Sequence, residues 1–126
     1  MIKVVCGIIY KKDKILLCRK KKDKNLGGLW EFPGGKIELN EIPEKALTRE
    51  LIEELGMHVK ILNHFSTTIH NYETFSVKLL SYKCDFIKAS FELTDHDKYE
   101  WLNLSELSNK KIVPADIKII NKLKQG

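Results

Sequence analysis

Glu50, Glu53 and Glu54 stand within five residues of one another, directly after Arg49. At about 3.6 residues per turn, positions i, i+3 and i+4 share one helical face. Three carboxylates crowded there repel one another. They also fall in the last turns before Gly56, where the helix dipole favours cations over anions. The arrangement is poor for stability and good for chemistry. A bound divalent cation resolves the conflict, because hard cations such as Mg²⁺ take carboxylate oxygens as ligands.

The surrounding pattern supplies the helix. Pro43 suits a first helical position, Leu47, Leu51 and Leu55 with Ala46 form an apolar stripe, and Gly56 ends it. Upstream, Lys3 to Tyr10 and Ile15 to Arg19 read as strands joined by a polar turn at Lys11–Lys14. A charged loop from Lys20 to Gly28 leads to Trp30–Lys36, an extended piece broken at Pro33-Gly34-Gly35. Downstream, residues 59–70 and 75–87 read as two long strands around the turn Asn71-Tyr72-Glu73-Thr74. A short strand from Tyr99 to Leu102 and a helical turn at Ser105–Leu107 follow. The chain closes on an amphipathic helix from Pro114 to Lys124 with Ile117, Ile120 and Leu123 inward. This order predicts an α/β (α+β) sandwich with the carboxylate helix packed on a mixed sheet.

A length of 126 residues, 43% hydrophobic and 31% charged, suits one soluble globular domain over residues 1–126. No apolar run approaches a membrane span, and the N-terminus reads as a strand rather than a signal peptide. Cys6, Cys18 and Cys84 lack metal or disulfide spacing; as free thiols they favour a reducing cytoplasm. The net charge of +5 is uneven: Glu38 to Glu54 holds six acids and two bases, a local −4, which leaves +9 elsewhere. A basic body around an acidic centre suits an anionic small-molecule substrate arriving with metal ions. Lys11, Lys12, Lys20, Lys21, Lys22 and Lys24 read as a solvated surface. Only two of the 22 basic residues are Arg, Arg19 and Arg49, which marks them as places for a rigid bidentate donor.

Gly35, then Glu41 after five residues, then Arg49-Glu50-Leu51-Ile52-Glu53-Glu54-Leu55-Gly56-Met57 after seven more, matches every fixed position of the Nudix box. The sequence is therefore identified as resembling the Nudix hydrolases, and the preceding Trp30-Glu31-Phe32-Pro33-Gly34-Gly35-Lys36 resembles the MutT-type branch, including its CTP pyrophosphohydrolase-like members. The resemblance implies a mixed sheet between helices and a box that binds Mg²⁺ or Mn²⁺. It also implies hydrolysis of nucleoside triphosphates to monophosphate and pyrophosphate. Cytosine or oxidised-purine nucleotides are the expected substrates, in nucleotide-pool sanitation and mutation avoidance.

By matching positions, the resemblance implies Glu50, Glu53 and Glu54 as metal ligands, helped by a backbone carbonyl of Gly34 or Gly35. Glu53 is preferred for taking the proton from the attacking water, although the sequence leaves open which glutamate does so. Arg49 is expected to orient a box glutamate, and Glu41 to reinforce the site from behind. Gly34 and Gly35 are expected to let the backbone turn tightly, and Lys36 to meet a phosphate as a point charge. A further acid from the loop before a late strand is expected at Asp95, with Asp97 in reserve. The branch usually has Glu there, and a solvated turn is the alternative for both. Asp116 takes the position where the branch reads the base edge, though Asp also suits a first helical turn. Arg19 is expected at phosphate or ribose, Phe32 at the base, and His70 at a strand end facing the cleft. Phe75, Tyr82 and Trp101 are further stacking candidates that suit a core equally well.

Two other readings follow from the same residues. One is a Nudix hydrolase of another diphosphate, such as ADP-ribose or a dinucleoside polyphosphate. The other is a nonenzymatic nucleotide-binding regulator, against which the intact Arg49, Glu50, Glu53 and Glu54 argue. A monomer or homodimer without a stable nucleic-acid partner or membrane association is expected.

Overall fold

The computed structural model describes residues 1–126. Strand β1 (Ile2–Lys11) turns at Lys12, whose φ of 57° is left-handed, into β2 (Lys14–Lys20). Two short strands, β3 (Trp30–Glu31) and β4 (Gly34–Lys36), precede helix α1 (Pro43–Leu55). Long strands β5 (Met57–Asn71) and β6 (Ser76–Ala89) form an antiparallel pair with three register shifts. Strand β7 (His96–Leu102), a 3₁₀ helix (Leu104–Asn109) and helix α2 (Pro114–Gln125) complete the chain. No helix is long and apolar enough to cross a membrane.

The seven-stranded sheet runs β3-β2-β1-β6-β5, with β4 also paired to β1 and β7 to β2. Strand β1 lies at its centre, parallel to β6 from Ile2↔Val77 to Tyr10↔Asp85 and antiparallel to β4. Alternation along β1 and β2 feeds two cores. Val5, Ile9, Leu16 and Cys18 pack under α1 with Ala46, Leu47, Leu51 and Leu55. Cys6, Ile8, Ile15 and Leu17 pack under α2 with Ile119, Ile120 and Leu123. A sheet buried on both faces explains the nearly unbroken apolar run of β1.

The observed strands extend the predicted ones by one to three residues at several ends; β7 gains most, beginning at His96 instead of Tyr99. The predicted inward face of α2 is corrected at one position. Ile117 is 46% exposed and Ile119 is fully buried in its place. The buried stripe is centred on Asp116, Ile119, Ile120 and Leu123, and Ile117 is turned about 100° from Asp116.

Helix α1 begins and ends as its sequence dictates. Pro43 opens it, and Gly56 closes it at φ 56° with its N–H donating to the Ile52 carbonyl at 2.9 Å. The helix leans on β4 as well as on the sheet. A Cβ on Gly35 would strike the Glu50 carboxylate group, with Glu50 Cγ only 2.8 Å away, and one on Gly34 would strike the β1 backbone. These two glycines are therefore required by close approach of α1 and β1. Neither has a positive φ, so the expected tight turn is replaced by extended backbone paired Gly34↔Cys6 and Gly35↔Val5.

Candidate active site

Arg49 organises the box. Its Nε and Nη2 donate to the two oxygens of Glu41 at 2.8 and 2.9 Å, and Nη1 donates to Glu50 at 2.9 Å. Nη2 also donates to the Lys36 carbonyl at 3.1 Å, which ties α1 to β4. The bidentate hydrogen bonding from Arg49, with the Glu38 N–H donating to the same carboxylate, pulls Glu41 down to about 2. Arg49 thus orients Glu50, and Glu41 braces Arg49 from the loop that enters the helix.

Glu50 and Glu54, at i and i+4, open into one cleft of about 590 Å³ together with Gly34, Gly35, Lys36, Glu31 and Asp95. Glu53 does not. Its position is i+4 from Arg49, which holds it at 3.4 Å on the exposed side of the helix. No three acidic, His or Cys side chains converge closely enough to hold a metal ion as they stand. The donor chemistry nonetheless fits a hard cation. Glu54 is 9% exposed, and its Oε2 is buried with no hydrogen-bond partner. Desolvation, then the facing Asp95, then Glu31 and Glu50 push its carboxyl up to about 10. An orphaned carboxylate oxygen beside a second carboxylate is what a divalent cation would satisfy.

Asp95 sits across from Glu54. Burial works to raise its pKa, but Glu54 and Lys24, at 3.5 Å, outweigh burial and lower it. Asp97, the reserve acid, is instead engaged by Arg19 at 2.7 Å. Arg19 therefore points away from the cleft, with its guanidinium 5.9 Å from the Trp30 ring centroid. Lys20 takes the place expected of Arg19. Opposite Arg19 and Lys20 the register shifts by one residue, leaving Asp97 of β7 as an unpaired bulge beside Arg19. Lys20, half-buried, and Lys24, exposed as expected, both line the cleft.

A second lobe of about 300 Å³ continues the first. Lys20, Asn25, Glu31, Lys36 and Asp116 line both lobes. The walls of the second are apolar, with Tyr72 stacked on Phe75 at 4.9 Å. Of the aromatic candidates, Phe75 alone reaches this lobe; Phe32 is 2% exposed in the α2-side core and borders the first lobe. Tyr82 and Trp101 pack on the α1 side of the sheet. His70 lies behind Tyr72, edge-on at 4.5 Å, and lines neither lobe.

Asp116 ties α2 to the segment between β3 and β4. It sits in the first turn of α2, 5% exposed, and its Oδ2 accepts the Phe32 N–H at 2.9 Å. Burial and the nearby Glu31 raise its pKa well above the carboxylate range. Asp116 lies at the boundary of the lobes.

Glu31 and His96 have no assigned role in the motif reading, yet they meet at the cleft wall, which Glu31 lines and behind which His96 is buried. His96 is 1% exposed and its Nε2 lies 2.9 Å from Glu31 Oε2. The two are separated by 65 residues, so no local spacing announces the contact. The available signal is a glutamate flanked by Trp30 and Phe32 in an otherwise apolar extended segment.

The chain resembles known proteins over nearly its whole length. The chain is 31% identical over 120 residues to the CTP pyrophosphohydrolase of Escherichia coli (strain K12), covering 95% of this chain and 89% of that one. It is 32% identical over 122 residues to the 8-oxo-dGTP diphosphatase of Buchnera aphidicola subsp. Schizaphis graminum, covering 97% and 92%. The solution structure of the E. coli ORF135 protein superposes with a TM-score of 0.87 at 31% identity, covering 99% of this chain and 89% of that chain. The model of the NUDIX domain matches residues 4–122, and the chain belongs to that family.

Proposed function

We propose that residues 1–126 act as one cytoplasmic Nudix hydrolase domain that cleaves nucleoside triphosphates to monophosphate and pyrophosphate. The observation that carries this reading is the joining of an acidic lobe to an apolar one. Glu50 and Glu54 line the first, Tyr72 and Phe75 the second, and Asp116 borders both. A nucleotide spanning them puts its polyphosphate beside the box and its base against the aromatic wall. The names of the similar enzymes, a CTP pyrophosphohydrolase and an 8-oxo-dGTP diphosphatase, favour cytosine or oxidised-purine substrates.

In this reading Glu50 and Glu54 hold a divalent cation, Mg²⁺ or Mn²⁺, with Asp95 and the Gly34 carbonyl as further oxygens and Glu53 as the reserve carboxylate on the same helix. Such a cation, when bound, neutralises polyphosphate charge and acidifies an attacking water. Arg49 fixes the Glu50 carboxylate, and Glu41 fixes Arg49. Lys20, Lys24 and Lys36 attract the phosphates as point charges. Glu53 is the proposed acceptor of the water proton; its exposed side chain, held by the 3.4 Å contact with Arg49, has to turn toward the cleft to take it. Asp116 offers one oxygen to the base edge while the other holds Phe32. If that carboxyl keeps its proton it donates, and if ionised it accepts an exocyclic amine.

The test is pyrophosphate release from canonical, methylated and oxidised nucleoside triphosphates, with ADP-ribose and dinucleoside polyphosphates alongside, with and without Mg²⁺. Cation-dependent release from a triphosphate is expected, with Glu53→Gln lowering kcat by at least about 100-fold. Unchanged turnover in Glu53→Gln would show that another group takes the proton. Preference for ADP-ribose or a dinucleoside polyphosphate would replace the substrate assignment.

A further inference from the structure

We propose that His96 is a positioning residue whose Nε2–H holds Glu31, so that the free Glu31 oxygen accepts a hydrogen bond from a sugar hydroxyl of the bound nucleotide. This rests on reading the cleft as a nucleotide site. The pair is built in an uncommon way. His96 opens β7 and pairs with Lys20 of β2. Its ring is buried, with Nε2 on Glu31 at 2.9 Å and Nδ1 buried without any partner. An ionised carboxylate only accepts, so the contact places the proton on Nε2.

A position that served packing alone would be filled better by an apolar side chain, because a buried polar atom without a partner is a liability. What His96 supplies is a donor aimed at Glu31. That bond freezes a side chain with three rotatable bonds and leaves Oε1 turned toward Lys20, 3.9 Å away.

The place of Glu31 selects the ligand group. Glu50, Glu54 and Asp95 line only the larger lobe, and Tyr72 and Phe75 only the smaller, whereas Glu31 lines both. It therefore faces the part of a nucleotide between phosphates and base. Phosphate oxygens repel a carboxylate and offer it no proton. Sugar hydroxyls donate, and a carboxylate acceptor is the complementary group.

The experiment compares KM and kcat for CTP, dCTP and 2′,3′-dideoxy-CTP (or the corresponding guanine series if the wild type prefers it) in wild type, His96→Leu, His96→Gln and Glu31→Ala. Wild type is expected to bind the dideoxy substrate on the order of tenfold more weakly in KM. His96→Leu should lose most of that discrimination while melting no lower than wild type. His96→Gln, which carries an amide donor close to the Nε2 position, should restore it, and Glu31→Ala should abolish it. Discrimination retained in Glu31→Ala, or in folded His96→Leu, overturns the proposal. So does a His96→Leu protein that melts lower yet keeps wild-type discrimination. Should His96→Leu not fold, Glu31→Ala and His96→Gln decide by the same measurement. A wild type that turns over no nucleotide refutes the reading of the cleft itself, whereas turnover with unaltered discrimination refutes only this inference.

Discussion

Replacing Glu54 by Gln should stabilise the cation-free protein, and by an amount that grows with pH. The carboxyl ordinarily ionises near 4.5, and in the fold desolvation, Asp95, Glu31 and Glu50 push it up to about 10. Between those values the folded state holds a proton that the unfolded state has lost, so stability falls as pH rises across the window. Each unit is worth about 1.4 kcal/mol, which sets an upper bound of about 3.5 kcal/mol at pH 7. Water penetration and relaxation around a site that opens into a cleft reduce this to on the order of 2 kcal/mol. Gln fills nearly the same space and never ionises. With an unfolding entropy of about 2.1 cal/mol/K per residue, Glu54→Gln should raise Tm by about 7 °C at pH 7 in EDTA. The gain should nearly vanish at pH 5 and keep growing up to about pH 10. Added Mg²⁺ or Mn²⁺ should reverse the order, because binding stabilises only a protein with an intact ligand set. Titration calorimetry in buffers of different ionisation enthalpy should show proton release from wild type on cation binding and less from the variant. If Glu54→Gln melts lower than wild type at pH 8 in EDTA, the burial of an unsatisfied carboxyl is not the strain inferred for it.

Ile42 precedes α1 in an extended conformation with no side-chain cap. Ile42→Thr should therefore add about 1 kcal/mol, or about 4 °C in Tm; a melting curve without that rise would refute the cap position. Arg49→Lys keeps the charge but cannot bond both Glu41 oxygens while also holding Glu50 and the Lys36 carbonyl. Loss of charge-assisted bonds of on the order of 2 kcal/mol should lower kcat/KM about thirtyfold in a folded protein. Near-normal kcat/KM would mean that Glu50 needs no brace.

Helix α1 was legible because its signals are local: Pro43, the leucine stripe and Gly56 lie within one stretch, and the box acids share it. The sheet strands were legible for the same reason, since alternation and apolar runs need no distant partner. What escaped depends on contacts that spacing does not encode. The bulge at Asp97 of β7 sets that carboxylate against Arg19, and Lys20 lines the cleft instead. Glu31 and His96 meet only after β3 and β7 have both been laid against β2. Gly34 and Gly35 look like turn residues in sequence, and only the approach of Glu50 and of the β1 backbone shows why no side chain fits there. Ile117 and Ile119 differ in burial because α2 presents the Asp116, Ile119, Ile120 and Leu123 side to the sheet, a face that the Phe32 N–H bond to Asp116 joins.

The magnitudes explain how α1 carries its acids at all. The helix has an apolar N-cap, no basic residue in its last turn, and Glu53 and Glu54 against its dipole. Like-charge neighbours and misplaced charge at a helix end cost a few tenths to about 1 kcal/mol each. Leu47, Leu51 and Leu55 are fully buried and contribute about 1.5–3 kcal/mol apiece. The inner face therefore outweighs the defects of the outer one, and the Arg49 hub cancels part of the repulsion by drawing Glu41, Glu50 and Glu53 around one guanidinium. Glu54 receives no such partner. It is the member of the cluster whose cost stays in the cation-free fold, and so the one whose removal best separates the needs of stability from those of the reaction.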